Sequence, residues 1–197
     1  MLSRRHFLAA AATTLVLGVS SRRAEAKLVA LPQPLPPSAP IGDGKYVKAP
    51  SAWLRLVERF PDLHPGKSSP CRVASTKARE AELAHIQQLV NGSVRFRNEP
   101  KDVWQPAELS GDCEDFAIRK LQMLTQDFGW PRGALTLATC RAETGQRHAV
   151  LLAHTARGVY VLDNRRPAVL PWRALPYRWQ AREEAGSPFA LWRAIAA

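Results

Sequence analysis

Three residues in the second half of the chain are of the types that perform thiol chemistry: Cys113, His148 and Asp163, in that order. A thiol attacks a carbonyl carbon only as the thiolate, so it needs surroundings that lower its pKa and a base within reach. An imidazole can be that base, and a carboxylate can hold the imidazole in one tautomer. These residues predict attack by Cys113, with His148 as base and Asp163 as the residue that orients it.

Cys113 falls where a helix is expected to begin. Asp112 is a favoured type of helix cap, and Gly129 stops the helical pattern that follows. The buried stripe of this helix is predicted to comprise Phe116, Ala117, Leu121 and Leu124. The free N–H groups and the dipole at a helix N-terminus favour a thiolate and can bind an oxyanion, so the position of Cys113 suits a nucleophile.

His148 and Asp163 are predicted to lie on neighbouring strands of one hairpin. If the connecting loop has an even number of residues, Asp163 lies on the same face as His148, opposite or diagonal to it. An odd loop would place them on opposite faces. His154, beside the turn, is expected at the rim of the sheet.

The hydrophobic pattern predicts an α+β fold with helices first and an antiparallel sheet later. The helices are expected over 51–60, ended by Pro61, and over 76–90, with Ser75 as the cap. Apolar residues on their buried faces are Trp53, Leu54, Val57, Leu83, Ile86, Leu89 and Val90. Strands are expected over 134–140, 148–154, 159–163 and 189–195. The apolar runs of the middle strands indicate that both faces of the sheet are covered.

The chain divides into three parts. Residues 1–26 combine Arg4 and Arg5 with a short apolar stretch and an Ala-Glu-Ala cleavage pattern, which predicts a signal peptide. The paired arginines favour the twin-arginine route over ordinary secretory export. Residues 27–50 form a proline-rich lead-in, and residues 51–197 form the domain. The mature protein is therefore expected in the periplasm, without a membrane span.

The formal charge of the whole chain is +11, and the chain stays basic after the predicted signal peptide is removed. With an export signal, this charge favours an acidic partner or an anionic envelope surface over nucleic acid. A solvated basic surface with no partner is the simpler interpretation. No repeat at solenoid periods and no RNA-binding signature is found.

The strings GDCEDFAIRK, RHAVLL and VYVLDN resemble the bacterial transglutaminase-like cysteine proteinases, from about Trp53 to the C-terminus. The resemblance implies a papain/transglutaminase-like core in which Cys113, His148 and Asp163 match the catalytic triad. It further implies, for the branch of LapG-type periplasmic peptidases, limited proteolysis of a large biofilm adhesin near a di-alanine site. Such peptidases are held by an inner-membrane receptor that senses cyclic di-GMP.

Acidic residues surround the predicted nucleophile. Negative charges next to the sulfur raise the pKa of the thiol by like-charge repulsion, whereas the helix N-terminus lowers it. The charges come from Asp112, Glu114 and Asp115. The resemblance implies calcium dependence, with Asp112 and Glu114 matching the carboxylates involved, and hard oxygen ligands suit Ca²⁺. The alternative is that Asp112 caps the helix and the other two are favourable first-turn charges. Trp104 is expected either to line the cleft or to be a buried anchor.

Several alternatives remain open at the level of sequence. Cys71 and Cys140 could form a disulfide in an oxidising compartment or remain separate buried thiols. The same triad could transfer an acyl group to an amine instead of to water, as in a transglutaminase. A non-catalytic periplasmic binding module would keep the fold but lose a triad position, and no position is lost here.

Overall fold

A computed structural model describes residues 34–64, 69–187, 189 and 191–196. The predicted signal peptide and the first part of the proline-rich lead-in lie outside these residues. The described part of the chain forms three α-helices packed on a seven-stranded antiparallel sheet, which confirms the predicted α+β class. None of the helices in this part is both long and apolar enough to cross a membrane.

The three helices are α1 (Ser51–Arg59), α2 (Lys77–Ser93) and α3 (Cys113–Gln126). The buried stripe predicted for α3 is observed. The burial predicted for two apolar residues is wrong, because Leu54 and Leu89 are 46% and 41% exposed. Each lies outside the arc that its helix presents to the sheet, and in α1 Leu56 fills the core instead.

The cap of α2 also differs from the prediction. Thr76, not Ser75, accepts a hydrogen bond from the backbone N–H of Arg79, at 3.2 Å. Ser75 instead donates its hydroxyl to Thr155 Oγ1 and so ties the start of the helix to the sheet. Two adjacent hydroxyl residues are equivalent cap candidates in sequence, and the tertiary bonds of Ser75, to Thr155 and from the backbone N–H of Arg157, distinguish them.

The large sheet has the strand order β1-β9-β8-β4-β5-β6-β7. Its strands are β1 (Gly42–Val47), β4 (Leu135–Arg141), β5 (Arg147–Thr155), β6 (Gly158–Leu162), β7 (Leu170–Pro171), β8 (Arg178–Glu183) and β9 (Trp192–Ala196). Two short strands, β2 (Arg95–Phe96) and β3 (Ser110–Gly111), form a separate parallel pair. The four predicted strands exist with ends shifted by one to three residues.

Strand β1 lies within the segment that the sequence assigns to the lead-in, so the folded part begins before residue 51. It pairs with β9 at the edge of the sheet. Two glycines allow this close pairing, since a Cβ at Gly42 or Gly44 would lie 2.8 Å from the carbonyl oxygen of Ala196 or Ala194. A glycine-rich edge strand has no apolar alternation, which is why its pattern does not distinguish it from a tether.

Both faces of the sheet are covered, as the apolar runs predict. The helices pack on one face through a core that includes Trp53, Leu121 and Leu151. On the other face, Trp172 and Tyr177 cover Val150 and its neighbours. Alternate residues of β5 therefore point into two different cores, and successive positions on this strand have different chemical roles.

The β5–β6 hairpin places Asp163 on the same face as His148. Its loop is Ala156–Arg157, an even number of residues, with Thr155 paired to Gly158. Leu151 pairs with Leu162, so Asp163, which directly follows β6, lies diagonal to His148. The geometric condition stated for an even loop is met.

We expect Gly158→Ala to destabilise the protein strongly. Gly158 has φ +117°, and a Cβ there would overlap the backbone carbonyl of Ser38. Backbone strain and overpacking together should cost about 3 kcal/mol or more. Gly145→Ala is the matched control: its φ is +82° with no atom within 4 Å, so only the strain, about 1 kcal/mol, should appear. Chemical denaturation of both variants measures the difference, and equal losses would contradict this account.

Candidate active site

The start of α3 is fixed by a buried carboxylate. Asp115 is fully buried and accepts hydrogen bonds from the backbone N–H groups of Gln105 (3.0 Å) and Asp112 (3.4 Å). Gly111 leaves room for it, because a Cβ at that position would lie 2.6 Å from Asp115 Oδ2. Cys113 is the first residue of the helix. The string GDCED thus anchors the loop before α3 and holds Cys113 at the helix N-terminus.

His148 and Asp163 are joined by a buried hydrogen bond of 2.8 Å between Nε2 and Oδ1. Asp163 Oδ2 accepts the hydroxyl of Tyr177 at 2.5 Å, and the backbone N–H of Arg165 donates to Oδ1 at 2.9 Å. Burial alone would raise the pKa of Asp163, but these bonds, from His148 foremost, lower it overall. Asp163 is therefore ionised at neutral pH, and its bond to Nε2 leaves Nδ1 of His148 to accept a proton.

A second set of polar side chains fixes the backbone of Asp163 through hydrogen bonds to its carbonyl oxygen. The side-chain amides of Gln87 and Asn91 donate to the carbonyl oxygen of Asp163 at 2.7 and 3.0 Å. Lys120, on α3, donates its ammonium to Gln87 Oε1 at 2.8 Å. Burial lowers the pKa of Lys120 to about 7, opposed by the charge of Asp163. The helix that begins with Cys113 is thereby connected, through α2, to the residue bonded to His148.

Cys113 and His148 line one cleft of about 960 Å³. Ala149, the residue directly after His148, lines the same cleft, and its backbone N–H is close enough to the sulfur to lower the pKa of Cys113. Asp112, Glu114 and Asn164 also line the cleft. The structure therefore brings the three predicted site residues together: the sulfur lies against the strand of His148, and His148 is bonded to Asp163.

The thiol is held in its protonated form. Its S–H donates to Glu114 Oε2 at 3.1 Å. Burial raises the pKa of Cys113 well above its ordinary value, Glu114 raises it further, and only the Ala149 N–H among the main causes lowers it. The predicted conflict between the acidic residues and a thiolate is thus present in the structure.

The acidic residues near the sulfur offer part of a cation site. Burial, and after it the charge of the neighbouring Asp112, raise the pKa of Glu114 to about 8. Asp112, whose own pKa is raised by burial, is hydrogen-bonded to Glu114. These two carboxylates supply hard oxygen ligands of the kind that Ca²⁺ prefers. Among the described residues, however, no group of three or more His, Cys, Asp or Glu side chains has metal-binding geometry, so backbone carbonyls or waters would have to complete the shell.

Four other residues singled out in the sequence have defined environments. Trp104 is both buried and part of the cleft lining, and its indole N–H donates to Asp102 at 2.8 Å. Cys71 is exposed and Cys140 is buried, and both are free thiols, so the disulfide is absent from this structure. His154 is not at the rim: it is buried and hydrogen-bonded to Thr136, and burial lowers its pKa to about 3.

A thiol at a helix N-terminus, set against a histidine–carboxylate pair on an antiparallel sheet, is the arrangement of a cysteine peptidase with a transglutaminase-like core. The chain belongs to the bacterial transglutaminase-like cysteine proteinases (BTLCP), whose family model matches residues 43–197.

Solved structures of LapG from Legionella pneumophila share this fold. The calcium-bound form is 25% identical, with a TM-score of 0.52 over 73% of this chain and 77% of that chain. The EGTA-treated form is also 25% identical, with a TM-score of 0.52 over 74% and 76% of the two chains. A comparison with curated proteins finds no matching relative.

Sequence reasoning missed the residues that support the histidine–carboxylate pair. Tyr177 is one of several aromatic residues in its segment, and no sequence pattern distinguishes it from the others. Gln87 and Lys120 occupy helix positions that are polar in sequence and buried in the fold, at 0% exposure each. A polar residue on a helix normally indicates a solvated face, so no sequence signal marks these two.

Tyr177→Phe should destabilise the protein by about 1.5–3 kcal/mol near neutral pH, because it removes a hydrogen bond to a buried charge. The lowered pKa of Asp163 contributes stability above the unfolded aspartate value of about 3.9, and this contribution is lost as the pH falls through the folded value. The difference from wild type should therefore shrink in acid. Urea denaturation across this pH range tests it.

Tyr160→Phe is the matched control for this prediction. Tyr160 donates its hydroxyl to a neutral acceptor, the carbonyl oxygen of Pro36, at 2.7 Å. Its loss should cost about 1 kcal/mol at every pH in the same range. A Tyr177→Phe cost that is equally independent of pH would show that the Tyr177 hydroxyl does not interact with an ionised Asp163.

Proposed function

We propose that this cysteine peptidase hydrolyses a peptide bond in a protein of the cell envelope, with Cys113 as nucleophile, His148 as base and Asp163 as the residue that orients His148. The observation that carries the proposal is the buried 2.8 Å bond between His148 and Asp163 in the wall of the cleft that Cys113 lines. This bond fixes the Nε2–H tautomer. It leaves the other ring nitrogen free to accept the thiol proton.

The reaction follows from these positions. His148 Nδ1 takes the proton of Cys113, and the sulfur attacks the substrate carbonyl carbon. N–H groups at the start of α3, which have no acceptor within the helix, stabilise the oxyanion. The imidazolium returns its proton to the leaving amine as the C–N bond breaks, which leaves a thioester. Water, deprotonated by His148, then hydrolyses the thioester and regenerates the thiol.

The substrate and the location are inferred from the family and from the N-terminal sequence. A signal peptide of the twin-arginine type at 1–26 supports a periplasmic enzyme. Membership of a family that includes LapG-type peptidases supports a large biofilm adhesin as the substrate and a cyclic-di-GMP-sensing inner-membrane receptor as a regulatory partner. Hydrolysis rather than acyl transfer is the activity of that family.

Calcium is proposed as the partner of the acidic residues beside the nucleophile. Asp112 and Glu114 would hold it, with carbonyls or waters as further ligands, and it would supply positive charge next to the sulfur. Two observations support this: the buried carboxylates raise the pKa of the thiol, and the LapG from Legionella pneumophila has a calcium-bound form.

We expect Cys113→Ala, His148→Gln and Asp163→Asn each to reduce cleavage of the natural substrate by about a thousandfold or more, because triad members act as a unit. Cys71→Ser is the control, since this exposed thiol lies outside the cleft, and its activity should equal that of wild type. Large adhesins from the same genome are the first substrates to test.

The mass of the products separates the outcomes of this experiment. Fragments whose masses sum to substrate plus water indicate hydrolysis, and an added amine indicates acyl transfer. Alkylation of Cys113 by iodoacetamide tests the nucleophile without any substrate, and His148→Gln should slow it. If wild type and Cys113→Ala leave every adhesin uncut while Cys113 alkylates rapidly, the substrate assignment fails and the peptidase assignment stands.

Calcium should stabilise the protein after treatment with chelator, with a rise in Tm of about 2–4 °C or more. It should also speed the alkylation of Cys113, because the bound charge offsets the carboxylates that disfavour the thiolate. The double variant Asp112→Asn/Glu114→Gln should lose both effects. Asn keeps the capping ability of residue 112, so the helix is preserved.

The matched control for calcium is Glu58→Gln/Asp62→Asn, which removes two exposed carboxylates outside the cleft and should leave the calcium response intact. Magnesium serves as the second control, because a site completed by carbonyls and waters favours the larger ion. A Tm that is unchanged by calcium in wild type would rule out the proposed site.

A further inference from the structure

Three arginines stand side by side across the sheet next to the active cleft. Arg141 on β4 is directly paired with Arg147 on β5 and with Arg178 on β8. Directly paired residues of antiparallel strands project from the same face, with Cβ atoms about 4.5–5.5 Å apart. The sequence separates these residues by up to 37 positions, and only the strand register brings them together as one arginine row.

The arginine row is not compensated by the protein itself. Like charges directly opposite one another destabilise a sheet. Within the described part of the chain, none of the three forms an ion pair, and their one hydrogen bond runs from Arg141 to the carbonyl oxygen of Gly145, at 2.9 Å. The nearby carboxylate of Glu143 is bonded to Arg165 and Arg166 instead. The row therefore keeps its positive charge available to an external anion.

Two of the three arginines share the cleft with the nucleophile. Arg147 is two residues before Ala149, which lines the cleft together with Cys113, and both project from the same face of β5. Two residues along a strand span about 7 Å. Arg141 and Arg147 line the same cleft as Cys113. A peptide chain in the cleft would reach the row about two residues from the bond under attack, since an extended chain advances about 3.3 Å per residue.

We propose that the arginine row is a specificity site that binds acidic side chains of the protein substrate, about two residues from the scissile bond. The inference rests on the proposed function, because the cleft is taken to hold a peptide. Guanidinium groups bind carboxylates in bidentate geometry, and such charge-assisted bonds are strongest in a cleft partly shielded from water. The preferred substrate is therefore a protein segment that carries aspartate or glutamate beside the cleavage site.

The experiment measures binding separately from catalysis. The Cys113→Ala protein is titrated into two dye-labelled nonapeptides of alanine and glycine, one with two adjacent glutamates and one with two glutamines. Fluorescence anisotropy should show roughly tenfold tighter binding of the glutamate peptide, and added salt should reduce this preference. In Arg147→Gln/Arg178→Gln, two exposed arginines without other bonds, the preference should disappear.

A matched double variant controls for net charge. Arg72→Gln/Lys77→Gln removes two exposed positive charges outside the cleft and should keep the glutamate preference. Equal binding of the two peptides, or equal loss in both double variants, would overturn the proposal. Dextran sulfate is tested in parallel: if it binds through Arg147 and Arg178 while the glutamate peptide does not, the site is for an anionic polysaccharide and the peptide assignment is wrong.

These measurements distinguish failure of the specificity site from failure of the proposed peptidase function. If wild-type Cys113 alkylates rapidly and its substrate is cleaved, but the peptides bind equally, only the specificity site is refuted. If the thiol is inert and no substrate is cleaved, yet the glutamate peptide binds through the row, the peptidase proposal fails and the anion site remains.

Discussion

The buried carboxylate of Asp163 is the constraint on which the arrangement of this protein depends. A charge that is removed from water must be fully hydrogen-bonded, and here every donor comes from a different element. His148 reaches it from β5, Tyr177 from the segment that covers the opposite face, and the Arg165 N–H from the following loop. The hairpin, the sheet and its outer cover must therefore assemble together before this charge is stabilised.

The nucleophile is governed by an opposing balance. The N-terminus of α3 and the Ala149 N–H favour negative charge on sulfur, whereas burial and Glu114 disfavour it. Burial and Glu114 dominate, so the thiol stays protonated and donates to Glu114. With this balance, a positive charge bound by Asp112 and Glu114, as proposed above, would favour the thiolate.

Much of this arrangement could be predicted from sequence, because it depends on local rules. The cap and apolar stripe of α3 place Cys113 in its first turn. Strand periodicity places Asp163 beside His148 only if the hairpin loop is even, and the pairing of Thr155 with Gly158 in the structure supplies that condition. The contacts that support His148 and Asp163 do not depend on local rules and could not be predicted in this way. Gln87, Lys120 and Tyr177 are ordinary residues in sequence that become important only through contacts 33 to 76 positions away or across the sheet.

The errors have similar causes. Glycine-rich β1 lacks the alternation of a half-buried strand, so its pairing with β9 is visible only in three dimensions. His154 is polar and near a turn, which indicates a surface position, yet Thr136 on β4 satisfies it in the interior. In each case a long-range partner overrides the local preference.

The pairing of β1 with β9 joins an early and a late segment of the described chain. Within the described residues, β1 is the edge strand on that side of the sheet, and the residues before it also pack on the domain, with Leu35 in the core. Proteolytic trimming of the chain up to residue 47 would strip the outermost ribbon and bare the hydrogen-bonding groups of β9. An uncovered edge of this kind is a template for intermolecular strand addition, so the glycine-rich segment also protects the enzyme against aggregation.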